Sequence, residues 1–580
     1  MDLEKKFEQV QKSDSKNSFR YTLGALFGFA IFCLIALFAY GDGEHNQKEN
    51  IFPIALFSTM LAMYYLYKEC TDSKNIAYIR LNWFLPNPSS IWLSMWIIAG
   101  LAGMGCNHEL IKEAKGKKKN VVFIAVDDMR TQLGCYGKTS VKSPNIDKLA
   151  ANGMVFKRAY CQQAICSPSR ISLLTGMYCE TTKIYGLVNR KKDKLPDIPS
   201  IPKHFRDNGY ETISSGKIYH HGDDDPVAWS VPAFRPMKGS GYVTEESKAI
   251  VSLWSGNSNT GTKGPVTEAA DVADNVYSDG KTTDFAIEQI RRLKDKPFFV
   301  ALGLRKPHLP FTAPKKYWDM YNPDDFKLVD NPYPPENATE FTMNNFGELR
   351  NYWQMPKGKE PVDDELARHL IHGYHACVSF IDAQVGRVLD ELETLGLKEN
   401  TIVVLWGDHG WKLGEHGSWC KHTAFEIDAK VPLIIFDPDM KTKGQTTEAL
   451  TELVDIYPTL CDLAGLDKPA HLEGLSVTPL MNNPDLDWKS AAFSIWVQKK
   501  FRYDEDIQVI GYTMKTDNYR YTEWRHTKSG EVRGRELYDH IKDPDENINV
   551  IDDLAYADIA IKLDAKMDEG WKGARPKGNQ

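Results

Sequence analysis

With 580 residues and 42% hydrophobic side chains, the chain is long enough for a large folded core plus a smaller partner, and too hydrophobic to be disordered. A net charge of −7 supplies no basic domain of the kind nucleic-acid binding requires, so no nucleic-acid partner is expected. Ten scattered cysteines without a CxxC pair argue against a zinc ribbon, a thioredoxin-type motif or a disulfide scaffold.

The first hundred residues differ from the rest. Residues 21–40 (YTLGALFGFAIFCLIALFAY) are uncharged and apolar, about long enough to cross a bilayer as a helix. Residues 51–67 and 91–106 are two further uncharged apolar runs, so residues 1–106 read as a membrane-anchoring or signal region. Lys5, Lys6, Lys12, Lys16 and Arg20 precede the first run, and Lys68, Lys74 and Arg80 separate the second from the third. By the positive-inside rule three crossings would deliver everything after Cys106 to the outside. Two alternatives stay open: a lipoprotein signal with Cys106 lipidated, or a start downstream. All three place the remainder outside the cytoplasm, periplasmic or at the cell surface. Lys115–Lys119 (KGKKK) reads as a solvated linker.

Residues 120–126 (NVVFIAV) form a short apolar, β-branched run, the pattern of a buried strand in an α/β sheet. Asp127 and Asp128 follow at its carboxyl end, where such sheets bind ligands. Adjacent carboxylates repel unless a cation holds them; a helix N-cap would explain one and not both. Residues 166–176 (CSPSRISLLTG) place Pro168 in a first helical turn, with Cys166 near the helix N-terminus and Arg170 one turn on. A helix N-terminus and a guanidinium both suit a sulfate or phosphate oxygen. Apolar spacing from Leu366 through Leu370, Tyr374, Val378, Ile381, Val385 and Val388 to Leu392 predicts a long helix over 364–395. Residues 401–406 (TIVVLW) repeat the buried-strand pattern and end in Gly407-Asp408-His409-Gly410, so this strand and the first should be close in one sheet. Residues 238–280 and 323–362 read as long surface insertions.

The segment Cys-x-Pro-Ser-Arg-x-x-x-Leu-Thr-Gly resembles the signature of the type I sulfatases. Further segments (VDDMRTQLGCYG, SSGKIYHHG, GLRKPHLPF, WGDHGWKLGEHGSWCKH) resemble the iduronate-2-sulfatase group within that family. The resemblance covers most of residues 119–580. It implies an alkaline-phosphatase-like α/β fold with a large, mostly parallel sheet flanked by helices over 119–450, and a C-terminal subdomain over 451–580 with a smaller antiparallel sheet and a terminal helix. It implies that Cys166 is oxidised to formylglycine by a formylglycine-generating or anaerobic maturase. Asp127, Asp128, Asp408 and His409 would hold Ca2+, with the modified Cys166 as a further ligand. His409 departs from the Asn of many sulfatases and is an unusual calcium ligand. Arg170, Lys217, His220, His308 and Lys421 would line the sulfate pocket, with His416 a supporting or purely structural neighbour. In the chemistry so implied, a hydrated formylglycine attacks sulfur with Asp408 as base, and His308, helped by Lys421, protonates the leaving alkoxide.

The implied substrate is a sulfated polysaccharide or oligosaccharide, a glycosaminoglycan or an algal glycan such as ulvan. Two rivals stand beside this reading. One is a membrane-anchored phosphoryl transferase or phosphodiesterase of the same superfamily, which would use an unmodified Thr. The other is a non-catalytic glycan-binding protein.

Overall fold

A run of β-branched residues buried on both sides organises the fold. In the computed structural model, which describes residues 118–576 apart from 189, 221–222, 237–240, 256–262, 344–346, 359 and 499–507, all seven residues of Asn120–Val126 (β1) are buried. The apolar runs of residues 1–106 lie outside the described residues. Among the described ones no helix is long and apolar enough to cross a membrane.

The large sheet adds Met154–Tyr160 (β2), Glu211–Gly216 (β3), Phe298–Leu304 (β4), Thr401–Gly407 (β5), Lys430–Val431 (β6), Leu433–Phe436 (β7) and Gln445–Glu452 (β8). Its order is β6-β2-β7-β5-β1-β4-β3, with β8 paired to β2. Strands β3, β4, β1 and β5 are mutually parallel, whereas β7 runs antiparallel to both β5 and β2. The expected mostly parallel sheet is thus a mixed one. Buried-strand periodicity carries no direction, and the reversal at β7 could not be read from it.

Alternate residues of β1 fill two cores. Val122, Ile124 and Val126 join one cluster with Ile287 and Ile290 of Ser278–Leu293 and Val378 and Ile381 of Asp364–Thr394. Val121, Phe123 and Ala125 join another with Leu173, Leu174 and Trp406. Each fully buried aliphatic side chain contributes about 1.5–3 kcal/mol. Packing on both faces therefore fixes where β1 ends, and a slip of one residue would carry Asp127 about 3.3 Å out of place.

Three helices that place residues in these cores are Cys166–Thr175 (α1), Ser278–Leu293 (α2) and Asp364–Thr394 (α3). The helix predicted over 364–395 is α3. The Asp363 side chain caps it, accepting from the Leu366 N–H at 2.8 Å, and Leu370, Tyr374, Val378, Ile381, Val385, Val388 and Leu392 are buried.

Four antiparallel strands, Ala492–Gln498 (β9), Val509–Lys515 (β10), Tyr519–His526 (β11) and Val532–Asp539 (β12), form a smaller sheet in sequence order, followed by Ala557–Gly573 (α4). The buried Lys489 ammonium, paired with Glu452 and Asp455 at 2.7 Å each, fastens the end of β8 to the approach to β9. The insertion at 323–362 is less superficial than its composition suggests, because Leu349 and Tyr352 are buried in the main core.

Candidate active site

Parallel register brings four strand ends to one edge. Val126 lies beside both Gly407 and Leu304, and Gly216 beside Gly303. The residues that follow, Asp127 and Asp128, Asp408 and His409, Lys217, and the loop bearing His308, therefore emerge together. Gly303 permits the closest approach: a Cβ there would lie 2.2 Å from the Lys217 carbonyl carbon.

Cys166 is the first residue of α1, 4% exposed, with its backbone at the helix N-terminus. Its Sγ lies 3.3 Å from His409 Nε2 and 3.5 Å from both Asp127 Oδ1 and Lys217 Nζ. Lys217 also donates to Asp127 Oδ2. One turn on, the fully buried Arg170 reaches four acceptors. Its Nε donates to Asp408 Oδ2 at 2.8 Å and its Nη2 to Asp127 Oδ1 at 3.3 Å. Its Nη1 donates to the Lys217 and Ile218 carbonyls at 2.6 and 3.0 Å. The guanidinium also lies 5.5 Å from the Trp406 ring centroid. Gly176 ends the helix at φ +67, a left-handed conformation that glycine adopts without strain.

Asp128 has φ 61, sparsely populated for a non-glycine residue. This turns its N–H to Asp408 Oδ1, 3.1 Å away. His409 lies 3.0 Å through Nδ1 from the Gly410 carbonyl, which can only accept, so Nδ1 carries the proton and Nε2 a lone pair. That lone pair faces Asp128 Oδ1 at 3.4 Å and Asp408 Oδ1 at 3.6 Å. Asp127, Asp128, Cys166 and His409 offer ligand atoms within 4.8 Å of one another. Converging acceptors of this kind require a positive centre between them, and a donor set of hard carboxylate oxygens with one imidazole fits a divalent cation. The electrostatics agree. Burial opposes ionisation of Asp127, but Lys217, His308 and Arg170 outweigh it and hold that carboxyl well below the usual range. Burial pushes Asp128 well above it, assisted by Asp127, Glu348 and Asp408 against Lys421, so a cation bound beside this carboxyl would favour its ionised form.

A second group lies on the far side of Asp128. Lys421 Nζ donates to Asp128 Oδ1 and Oδ2 at 3.0 and 3.1 Å and sits 4.9 Å from the Trp411 ring centroid. A further partner, Glu348 Oε2 at 2.9 Å, was not anticipated from sequence. Glu348 Oε1 lies 3.0 Å from His308 Nε2, and His308 Nε2 lies 4.0 Å from Asp128 Oδ2. Asp128, His308 and Glu348 could by themselves hold a metal, but the Lys421 ammonium already binds two of the three. Glu348 comes from the short helix Gly347–Arg350 in the insertion at 323–362.

The structure bears on three of the expected residues, changing the reading of Asp408, settling the open alternative for His416 as structural, and leaving His220 untested. Asp408, expected to act as base, has both oxygens engaged, by Arg170 and by the Asp128 N–H, and the carboxylate touching Cys166 is Asp127. His416 points elsewhere: its Nε2 lies 2.9 Å from the Asp545 carbonyl and its ring packs 4.3 Å from Phe425, a structural contact to the C-terminal region. His220 lies three residues beyond Lys217, half-buried, beside residues 221–222 that are outside the described set. Burial, and then Asp127, push the Cys166 thiol well up, so an unmodified thiol stays protonated and is a poor nucleophile.

Known proteins share this arrangement of chain. Residues 119–466 match the sulfatase family, and residues 414–572 match the C-terminal region of N-sulphoglucosamine sulphohydrolase. Iduronate 2-sulfatase of Mus musculus is 32% identical, with 82% of this chain and 99% of that protein covered. A sulfatase of Formosa agariphila is 30% identical, with 83% and 92% covered. A solved structure in complex with its substrate D-glucosamine-2-N,6-O-disulfate is similar at TM-score 0.64 and 23% identity, over 79% of this chain and 98% of that one. The phosphonate monoester hydrolase of Agrobacterium radiobacter reaches TM-score 0.61 at 24% identity, over 78% and 95%; both likenesses speak to the fold alone. From the extent of the family match and of the relatives it aligns with, the chain belongs to the sulfatase family and is a sulfuric ester hydrolase.

Proposed function

We propose that the protein removes sulfate from a sulfated polysaccharide or oligosaccharide, using a formylglycine made from Cys166 and a calcium ion held by Asp127, Asp128, Asp408 and His409. The observation that carries this reading is the place of Cys166: at a helix N-terminus, among Asp127, Lys217 and His409, as a thiol too well protonated to act unmodified. A relative named iduronate 2-sulfatase, aligned over nearly its whole length, favours a 2-sulfated uronic acid as the sugar. Glycosaminoglycans and ulvan are both candidate sources. The enzyme would act outside the cytoplasm, exported or anchored through residues 1–106, with a formylglycine-generating or anaerobic maturase as its partner.

When present, formylglycine supplies two hydroxyls on one carbon, one to attack sulfur and one to expel sulfate, while calcium supplies positive charge beside them. The chain's own residues do the rest. Lys217, Lys421 and Arg170 offset the charge of the sulfuryl oxygens in a buried setting where such interactions are strong. Arg170 also fixes Asp127 and Asp408 in place. Asp127 Oδ1, at 3.5 Å from the position 166 side chain, is the carboxylate oxygen touching the attacking group, although Arg170 and Lys217 engage both Asp127 oxygens as Arg170 and the Asp128 N–H engage those of Asp408. His308 Nε2, on the other side of Asp128, is placed to protonate the departing sugar oxygen.

The test is the mass of the tryptic peptide Ala159 to Arg170 from protein made in its native host. It contains Cys161 as an internal control. Conversion of Cys166 to the lighter aldehyde, with Cys161 still alkylatable and Cys166→Ala devoid of sulfate release, supports the reading. Two intact thiols in active protein would overturn it.

A further inference from the structure

Glu348 is an acid that no sequence pattern marked, 13% exposed, carried into the site on a four-residue helix. Its two oxygens are used separately, one 3.0 Å from His308 Nε2 and the other 2.9 Å from Lys421 Nζ. Each partner is also held from behind. His308 Nδ1 lies 2.6 Å from the Leu309 carbonyl, which can only accept, so the Nδ1 proton is committed there and Nε2 is the atom turned to Glu348. Lys421 is bound to both oxygens of Asp128 and lies over Trp411. Glu348 therefore closes a bridge between the two side chains that stand across Asp128 from Cys166.

We infer that Glu348 is a positioning residue for departure of the leaving group: it holds His308 and Lys421 together at the place where the sugar oxygen separates from sulfur. This rests on the reading that His308 serves the leaving group. With its Nδ1–H held by the Leu309 carbonyl, His308 can donate from Nε2 only as the imidazolium, whose second N–H faces Glu348 Oε1. As the S–O bond breaks, its electron pair stays on the departing oxygen, which takes the Nε2 proton and leaves neutral imidazole, and a proton from water later restores the imidazolium. Without Glu348, the two groups share only Asp128, which bonds Lys421 but lies 4.0 Å from His308 Nε2, beyond hydrogen-bond reach. The loss should be felt most where the leaving oxygen most needs a proton.

The discriminating experiment compares two aryl esters that differ by one para nitro group on matured full-length enzyme, phenyl sulfate and 4-nitrophenyl sulfate. The nitrophenolate leaves readily without protonation and the phenolate does not. Positioned proton transfer contributes about a hundredfold or more. Glu348→Gln, of the same shape, is expected to lower kcat on phenyl sulfate about a hundredfold and to change the ratio of the two substrates at least tenfold, with Glu348→Asp partly restoring the ratio. Equal loss on both substrates, or loss on neither, would overturn the inference while leaving the sulfatase reading intact. Wild-type enzyme with verified formylglycine that releases sulfate from neither ester and from no sulfated glycan would overturn the reading beneath it, whereas glycan turnover left unchanged by Glu348→Gln would overturn the inference alone.

Discussion

Arg170 tests the electrostatic logic of the site, because its side chain is wholly buried and all four of its acceptors are identified. Arg170→Met keeps the length and removes the charge and the donors. Breaking a buried ion pair from one side costs about 3–5 kcal/mol, because the partner is left charged and unsolvated. Here Asp127 keeps Lys217, whereas among the described donors Asp408 keeps the Asp128 N–H, so apart from any calcium contact the penalty falls mainly on Asp408. The Lys217 and Ile218 carbonyls lose donors as well, at about 1–3 kcal/mol for each left unsatisfied. These terms are not additive. A loss of at least about 4 kcal/mol is the expected sum after relaxation. Arg170→Lys should recover little of it, since one ammonium cannot span acceptors on two strands and a turn. Urea unfolding followed by tryptophan fluorescence, with calcium fixed, measures the difference. A loss below about 1 kcal/mol for Arg170→Met would refute the reasoning and would mean that water or a shifted Lys217 replaces the guanidinium.

Two further outcomes follow from the same geometry. Chelation with EGTA should lower the melting temperature, and restoring calcium at a hundred times its Kd should return about 2.7 kcal/mol of stability; a melting curve indifferent to EGTA would remove calcium from the site. Away from the site, burial brings His375 down to about 4, and its Nε2 serves as acceptor for Gln132 at 3.1 Å while Nδ1 faces the Ile371 carbonyl at 2.8 Å. Its folded pKa lies below the unfolded one near 6.5, so its contribution is complete above about pH 6.5 and is lost as pH falls toward 4, by up to about 3 kcal/mol. His375→Gln should flatten the stability curve in that window, and an unchanged slope would show that another group sets it.

Much of the site was legible because its residues sit where local patterns are strong. Asp127 and Asp128 close a buried strand, Asp408 and His409 close another, and the parallel register between β1 and β5 joins them as those patterns required. Cys166 and Arg170 share one helix turn, so their relation is a matter of spacing alone. Glu348 had no such signal. It stands in a stretch rich in Pro, Asn and acids, and only the burial of Leu349 and Tyr352 beside it, invisible in sequence, turns that stretch inward. The direction of β7 was illegible for another reason: Leu433–Phe436 is apolar throughout, and such a strand reads the same both ways. His416 shows the converse. It lies five residues from Lys421, yet its positive φ of 57 sends the side chain to Asp545 and away from the cluster.

The depth of Cys166 sets an order of events in the cell. At 4% exposure, on the first turn of a packed helix, its thiol is closed to any second enzyme once β1, β5 and α1 have assembled. On the proposed formylglycine reading, maturation would then be a race against folding. A chain that folded first would stay unconverted and inactive. The specific activity of a preparation would accordingly measure how often the maturase wins, and overproducing the chain without its maturase would raise yield and lower specific activity together.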